Sequence, residues 1–156
     1  MQHTHITDYS HITPLIILGS DLCKGWKCPV HSEEFRKLGI HTEINLETEH
    51  DEPVAPELDV YLRLPTPDET APTQEQLLIA TDALQRTIKS NKKAYVHCKN
   101  GHGRSPTVVA AYFIRFEHKN VDEAVNLIKN KRPEIHINKI QFEALEEFRR
   151  EVVEND

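Results

Sequence analysis

Residues 94–112, AYVHCKNGHGRSPTVVAAY, change their hydrophobic period within a few positions. Residues 94–97 are short, apolar and β-prone, which reads as a strand near the centre of a sheet. From Ser105 the pattern is helical, and a short glycine-rich segment separates the two. A chain can turn that tightly only with residues that accept positive φ or close backbone approach. Gly101 and Gly103 are expected to do both. A strand running through such a turn into a helix is half of a βα unit, and it commits the chain to an α/β layer architecture.

The other segments fit this frame. PLIILGS is a short apolar run ending in glycine, a strand. HSEEFRKLG reads as a short helix opened by Ser32 and stopped by Gly39. IHTEINLE alternates Ile40, Thr42, Ile44 and Leu46 on one face, the pattern of a second strand. VYLRL, residues 60–64, is a third. It leads into a loop carrying Pro65, Pro67, Asp68 and Pro72. Thr73 and Gln76 stand at capping-box spacing, followed by Leu77, Ala80, Leu84 and Ile88 at helical spacing. Further helices are expected at about 105–118, 122–130 and 139–153, the last with Ile140, Ala144, Leu145, Phe148 and Val152 on one stripe. With 156 residues, no repeat and no dividing linker, the expected fold is one α/β domain over 1–156. Its centre would be a mostly parallel sheet of four to five strands flanked by helices.

Composition excludes several classes of function. A net charge of −6 argues against general nucleic-acid binding. No run of 18 or more apolar residues exists to form an integral membrane segment. The polar start MQHTHITDYSH lacks the apolar core of a secretory leader. Only three cysteines occur, Cys23, Cys28 and Cys98, which points to a reducing, cytoplasmic setting rather than a disulfide framework. In CKGWKC, Cys23 and Cys28 with His31 offer three ligand types but no fourth, so no metal and no cofactor is expected. A redox role for Cys23 or Cys28 and the oligomeric state stay open.

The turn itself carries the chemistry. Successive backbone N–H groups of Lys99, Asn100, Gly101, His102 and Gly103 can face inward as an anion-binding nest. The helix starting near Ser105 adds free N–H groups and the positive end of its dipole. Arg104 offers a planar fork that holds two oxygens at once. A free thiol has a pKa of about 8.5, and such surroundings lower it. Cys98 at the floor of this cradle is therefore a nucleophile suited to phosphorus, forming a cysteinyl-phosphate. Attack on a phosphate ester expels an alkoxide or phenoxide, so an acid on a separate segment is needed. Asp68 in PTPDETAP is the candidate, with Glu69 and Asp59 as rivals.

HCKNGHGRS, residues 97–105, resembles the His-Cys-x5-Arg-Ser/Thr signature of the protein tyrosine phosphatase superfamily, and the small dual-specificity branch in particular. The resemblance extends over most of the chain. It implies Cys98 as nucleophile, Arg104 as phosphate binder and Asp68 as acid. Ser105 would stabilise the departing thiolate, and His97 would order the loop. It also implies activity on phosphotyrosine and phosphoserine or phosphothreonine in phosphorylated proteins, or on small phosphoesters. The tail RPEIHINKIQFEALEEF is similar to the phosphatidylglycerophosphate phosphatase branch, with Gln141 at the matching glutamine. His102, however, stands where that branch has arginine. Gln141 would orient the hydrolytic water or be a surface helix residue. A lipid phosphatase and a non-catalytic phosphate-binding module are the alternatives.

Overall fold

The computed structural model describes residues 8–21, 29–50 and 58–154, with the side chains of residues 29–32 outside that set. Five strands, β1 (Tyr9–His11), β2 (Ile16–Gly19), β3 (Ile40–Asn45), β4 (Val60–Arg63) and β5 (Lys93–His97), form one sheet in the order β1-β2-β5-β3-β4. Neighbours pair in parallel except β1, which runs antiparallel to β2. The strand with the cysteine at its end is thus the central one. β1 lies in the polar opening segment and was not anticipated. It is an edge strand with little buried surface, so no apolar alternation marks it.

Alternation along the strands sorts the core into two layers. Ile16, Leu18, Ala94, Val96 and Ile44 face the large cluster beneath the helices α2 (Gln74–Lys89), α3 (Arg104–Phe116), α4 (Val121–Lys131) and α5 (Lys139–Glu154). Ile17 and Tyr95 point the other way and meet Phe35 of α1 (Pro29–Leu38), with Ile40. α3 is buried along nearly its whole length and touches α2, α4 and α5. The first turn of α3, which carries Arg104 and Ser105, is therefore fixed in the molecular core.

Several helix ends match their sequence signals. Thr73 accepts from the Gln76 N–H while the Gln76 side chain returns to the Thr73 N–H, an arrangement that contributes about 1 kcal/mol. Asn120 and Glu123 close the same box on α4. α1 differs: it starts at Pro29 rather than Ser32, because proline's fixed φ and missing N–H are tolerated in a first turn. Cys23, Trp26 and Cys28 lie outside the described residues, and of His31 only its place in α1 is described. No helix among the described residues is long and apolar enough to cross a membrane.

Candidate active site

Cys98 follows the last residue of β5 and is buried, with its Sγ 3.2 Å from the Ser105 hydroxyl and accepting the Gly101 N–H at 3.3 Å. Burial pushes this thiol up, but the Ser105 hydroxyl and N–H, the Arg104 charge and the Gly101 N–H together outweigh it, so its pKa lies below the ordinary thiol value. The donors and the cation around the sulfur shift its balance toward the thiolate.

The cradle owes its shape to what grips it from outside. The Lys99 carbonyl accepts from the Asp21 N–H at 3.0 Å, and the His102 carbonyl from the His136 N–H at 2.6 Å. Between them, Arg132 Nη2 donates to the Asn100 carbonyl at 3.0 Å and Nε to the Gly101 carbonyl at 2.9 Å. All peptide bonds described are trans, and across a planar trans peptide the N–H points opposite to the carbonyl. Four carbonyls drawn outward therefore aim the next four N–H groups, those of Asn100, Gly101, His102 and Gly103, toward the cradle's interior. Arg132 is fully buried and is itself held by Asp8 and Ser10 at the far edge of the sheet.

The two glycines have different reasons. Gly101 has φ +71, and a Cβ there would stand 2.6 Å from the Gly19 backbone, so both conformation and space demand glycine. Gly103 was expected to share the positive φ, but its φ is −132. Its constraint is space, since a Cβ would lie 3.0 Å from Gln141 Nε2.

Arg104 is buried and points its fork at Glu49, with Nη1 and Nη2 each 2.8 Å from a carboxylate oxygen. Nη1 also donates to the Thr66 carbonyl at 3.0 Å. Glu49 is held well below the usual carboxylate range, at about 2, chiefly by its hydrogen bonds from Arg104. Arg104 Nε has no partner and is buried. One edge of the guanidinium is thus anchored, and the other is left for a ligand.

Asp68 stands on the opposite wall, with Oδ1 3.5 Å from Arg104 Nη2 and the side chain 68% exposed. The same oxygen accepts the Glu69 N–H, a local turn bond. Asp59 sits at the start of β4 and pairs with His41, away from the cradle. Glu69 has φ 65 and lines the same cleft as Asp68. Of the three, Asp68 is the one the structure pairs with Arg104, at 3.5 Å. That cleft, about 490 Å3 in volume, lies between Asp68 and Glu69 on one side and His102, Gly103, His136 and Gln141 on the other.

Gln141 is not a surface residue. It is 1% exposed; its Oε1 accepts from the Asn138 N–H, and its Nε2 donates to the Thr70 carbonyl at 3.1 Å. With the Gln141 N–H bound to Asn138 Oδ1, these two residues cap α5 and dock it on the acid loop. Asn138 Nδ2 adds a bond to the Glu69 carbonyl at 2.8 Å. His97, fully buried beneath the cradle, meets Glu43 through Nε2 at 2.9 Å. Lys99 and Asn100 are exposed on the rim and His102 is partly buried.

Sequence reasoning missed Glu49, Thr66, Arg132 and Asn138. Glu49 sits in the acidic run ETEHDE, which looks like solvated surface. Arg132 ends α4 just before Pro133, a place where a cation is ordinary. Asn138 and Gln141 do stand at capping-box spacing, a signal available in the sequence.

The dual specificity phosphatase catalytic-domain model matches residues 25–151. The chain belongs to this family. Phosphatidylglycerophosphatase and protein-tyrosine phosphatase 1 of Homo sapiens is 38% identical over 122 residues, covering 78% of this chain and 51% of that protein. Dual specificity phosphatase 28 of Mus musculus is 27% identical over 129 residues, covering 80% of this chain and 74% of that protein. The chain spans about half or less of the length of the first of these curated relatives. Among solved structures, PTPMT1 in complex with PI(5)P superposes with a TM-score of 0.82 at 26% identity, over 95% of this chain and 99% of that one.

Proposed function

We propose that this phosphatase acts through a cysteinyl-phosphate on Cys98 and that its preferred substrates are phosphomonoesters on lipid headgroups of the phosphoglycerol or phosphoinositide kind. The observation that carries the chemistry is Cys98 below its ordinary pKa, under an inward set of N–H groups and the free Nε edge of Arg104. Thiolate attack on phosphorus forms the S–P bond as the ester P–O bond breaks, and Asp68 gives its proton to the leaving oxygen. The Asp68 carboxylate then takes a proton from water, which attacks phosphorus. Ser105 donates to the sulfur as the S–P bond breaks, and inorganic phosphate leaves. Arg104 and the cradle N–H groups hold the equatorial oxygens throughout.

The lipid preference is supported by the names of the relatives and by the cleft. His102 and His136 line it beside the cradle rim, and the exposed Lys99 adds a cation on that rim. A phosphorylated headgroup with a second anionic group gains from such neighbours, whereas a single phosphate is already satisfied by Arg104 and the amides. A dual-specificity protein phosphatase is the second reading, favoured by the family model and by the match to Dual specificity phosphatase 28. The test is kcat/KM on phosphatidylglycerophosphate and PI(5)P in mixed micelles against phosphotyrosyl and phosphothreonyl peptides. At least a tenfold advantage for a lipid is expected by the arithmetic of one charged contact, and it should vanish when Lys99 and His102 are both alanine. Equal or better peptide turnover would transfer the proposal to the protein reading.

A further inference from the structure

Apart from the reaction, the described residues bring three metal-ligating side chains together beside the cradle. Asp21 lies two residues past β2, Glu47 two past β3, and His50 three further on. One donor atom from each lies within 4.8 Å of the others. His50 Nδ1 is 2.5 Å from Glu47 Oε1 and 3.4 Å from Asp21 Oδ2. Neither carboxylate is exposed: Glu47 is at 0% and Asp21 at 4%.

Two atoms of the group lack what buried oxygens normally have. Asp21 Oδ2 and Glu47 Oε2 accept no hydrogen bond. A carboxylate withdrawn from water without a donor is costly, and such oxygens are usually paired or bound to a cation. A divalent cation between Asp21 and Glu47 serves Asp21 Oδ2 directly and gives both buried carboxylates a counter-charge.

We propose that Asp21, Glu47 and His50 bind one divalent transition cation, of the zinc or manganese class, at a site separate from the phosphate cradle. One imidazole nitrogen and two carboxylates suit those ions, while calcium requires six to eight oxygens. Ligands about 2.0–2.2 Å from a tetrahedral ion stand about 3.4 Å apart. The His50–Asp21 gap already has that value, and the Glu47 oxygen must back away from the imidazole as it exchanges its hydrogen bond for the metal. His50 is 35% exposed and gives the ion an entry path and room for a water as fourth ligand. The cation would tie two segments that serve the cradle. Asp21 holds the Lys99 carbonyl, and Glu49, next to His50, holds Arg104.

The probe is Co2+ titrated into the full-length reduced protein, read by visible d–d absorption, with Zn2+ and Mn2+ as competitors. One equivalent bound with tetrahedral-type bands and no near-ultraviolet thiolate-to-cobalt charge transfer is expected. His50→Gln and Asp21→Asn should each weaken binding by at least about tenfold, since even an outer-shell change costs a metal site that much. Both should keep the wild-type circular dichroism, His50 being partly exposed and Asp21→Asn nearly isosteric. Absence of d–d bands, undiminished binding in the folded variants, or charge-transfer bands marking capture by cysteine would overturn the site.

Discussion

The cradle and the acid loop are both shaped by donors to four of their carbonyls, yet the side chains they present are held in opposite ways. In the cradle, Lys99 to His102 are drawn outward by Asp21, Arg132 and His136, and Cys98 inside is buried and hydrogen-bonded. In the acid loop, Pro65, Thr66, Glu69 and Thr70 are gripped by Gln76, Arg104, Asn138 and Gln141, while Asp68 itself projects into solvent. Phosphate binding needs a fixed constellation of N–H groups, because a misplaced donor forfeits transition-state stabilisation. Proton transfer to leaving groups of different shapes needs a fixed backbone and a side chain free to follow them. Arg104 joins the two regions, since the same guanidinium that faces the cradle donates to Thr66.

The contrast breaks most sharply at Asp68. Asp68→Asn should lower kcat by about 10²–10⁴-fold on an alkyl phosphate and far less on 4-nitrophenyl phosphate, whose leaving group departs without a proton. The unfolding midpoint should not move, because the side chain is exposed. Arg132→Met attacks the other region. It removes charged hydrogen bonds to two cradle carbonyls, so stability should drop by about 2–4 kcal/mol. Well below the unfolding midpoint, kcat/KM should fall by about 10²-fold for good and poor leaving groups alike, as expected when preorganised donors are disordered. A leaving-group-dependent loss in Arg132→Met would erase the distinction between the regions.

The fold and the centre of the cradle were legible because they rest on local signals. Alternation in β3, the capping box of α2 and the strand–glycine–helix transition at 94–112 each have a cause within a few residues of themselves. Cys98, Arg104 and Ser105 lie close enough in the chain for spacing to place them together. What was not legible comes from afar. Arg132 meets Asp8 across the sheet, and Glu49 meets Arg104 from another strand's end; neither has a periodicity that announces its partner. Gln141 shows the intermediate case. Its helix was expected, but its burial against Thr70 depends on how α5 docks, which only tertiary packing decides.

Two smaller effects sharpen the comparison. Inactivation by iodoacetate, followed as loss of phosphatase activity, should persist below the ordinary thiol pKa, since the folded Cys98 is depressed and stays thiolate as pH falls. Ser105→Ala removes the leading stabiliser of that thiolate and should move the midpoint upward; an unmoved midpoint would assign the depression to Arg104 and the amides alone. Gln141→Ala should be the mildest, loosening the acid loop by one hydrogen bond and cutting kcat by about 2–10-fold on poor leaving groups only.

The central claim is that phosphate passes through the sulfur of Cys98. Rapid acid quench of Asp68→Asn during turnover of 4-nitrophenyl phosphate, followed by peptide mass spectrometry, tests it directly. The account predicts a phosphate adduct on the peptide spanning residues 97–104, localised to Cys98 and absent from Cys98→Ser, which should have lost about 10⁴–10⁶ of the wild-type activity. An adduct on another residue, or a Cys98→Ser protein that still turns over, would contradict it.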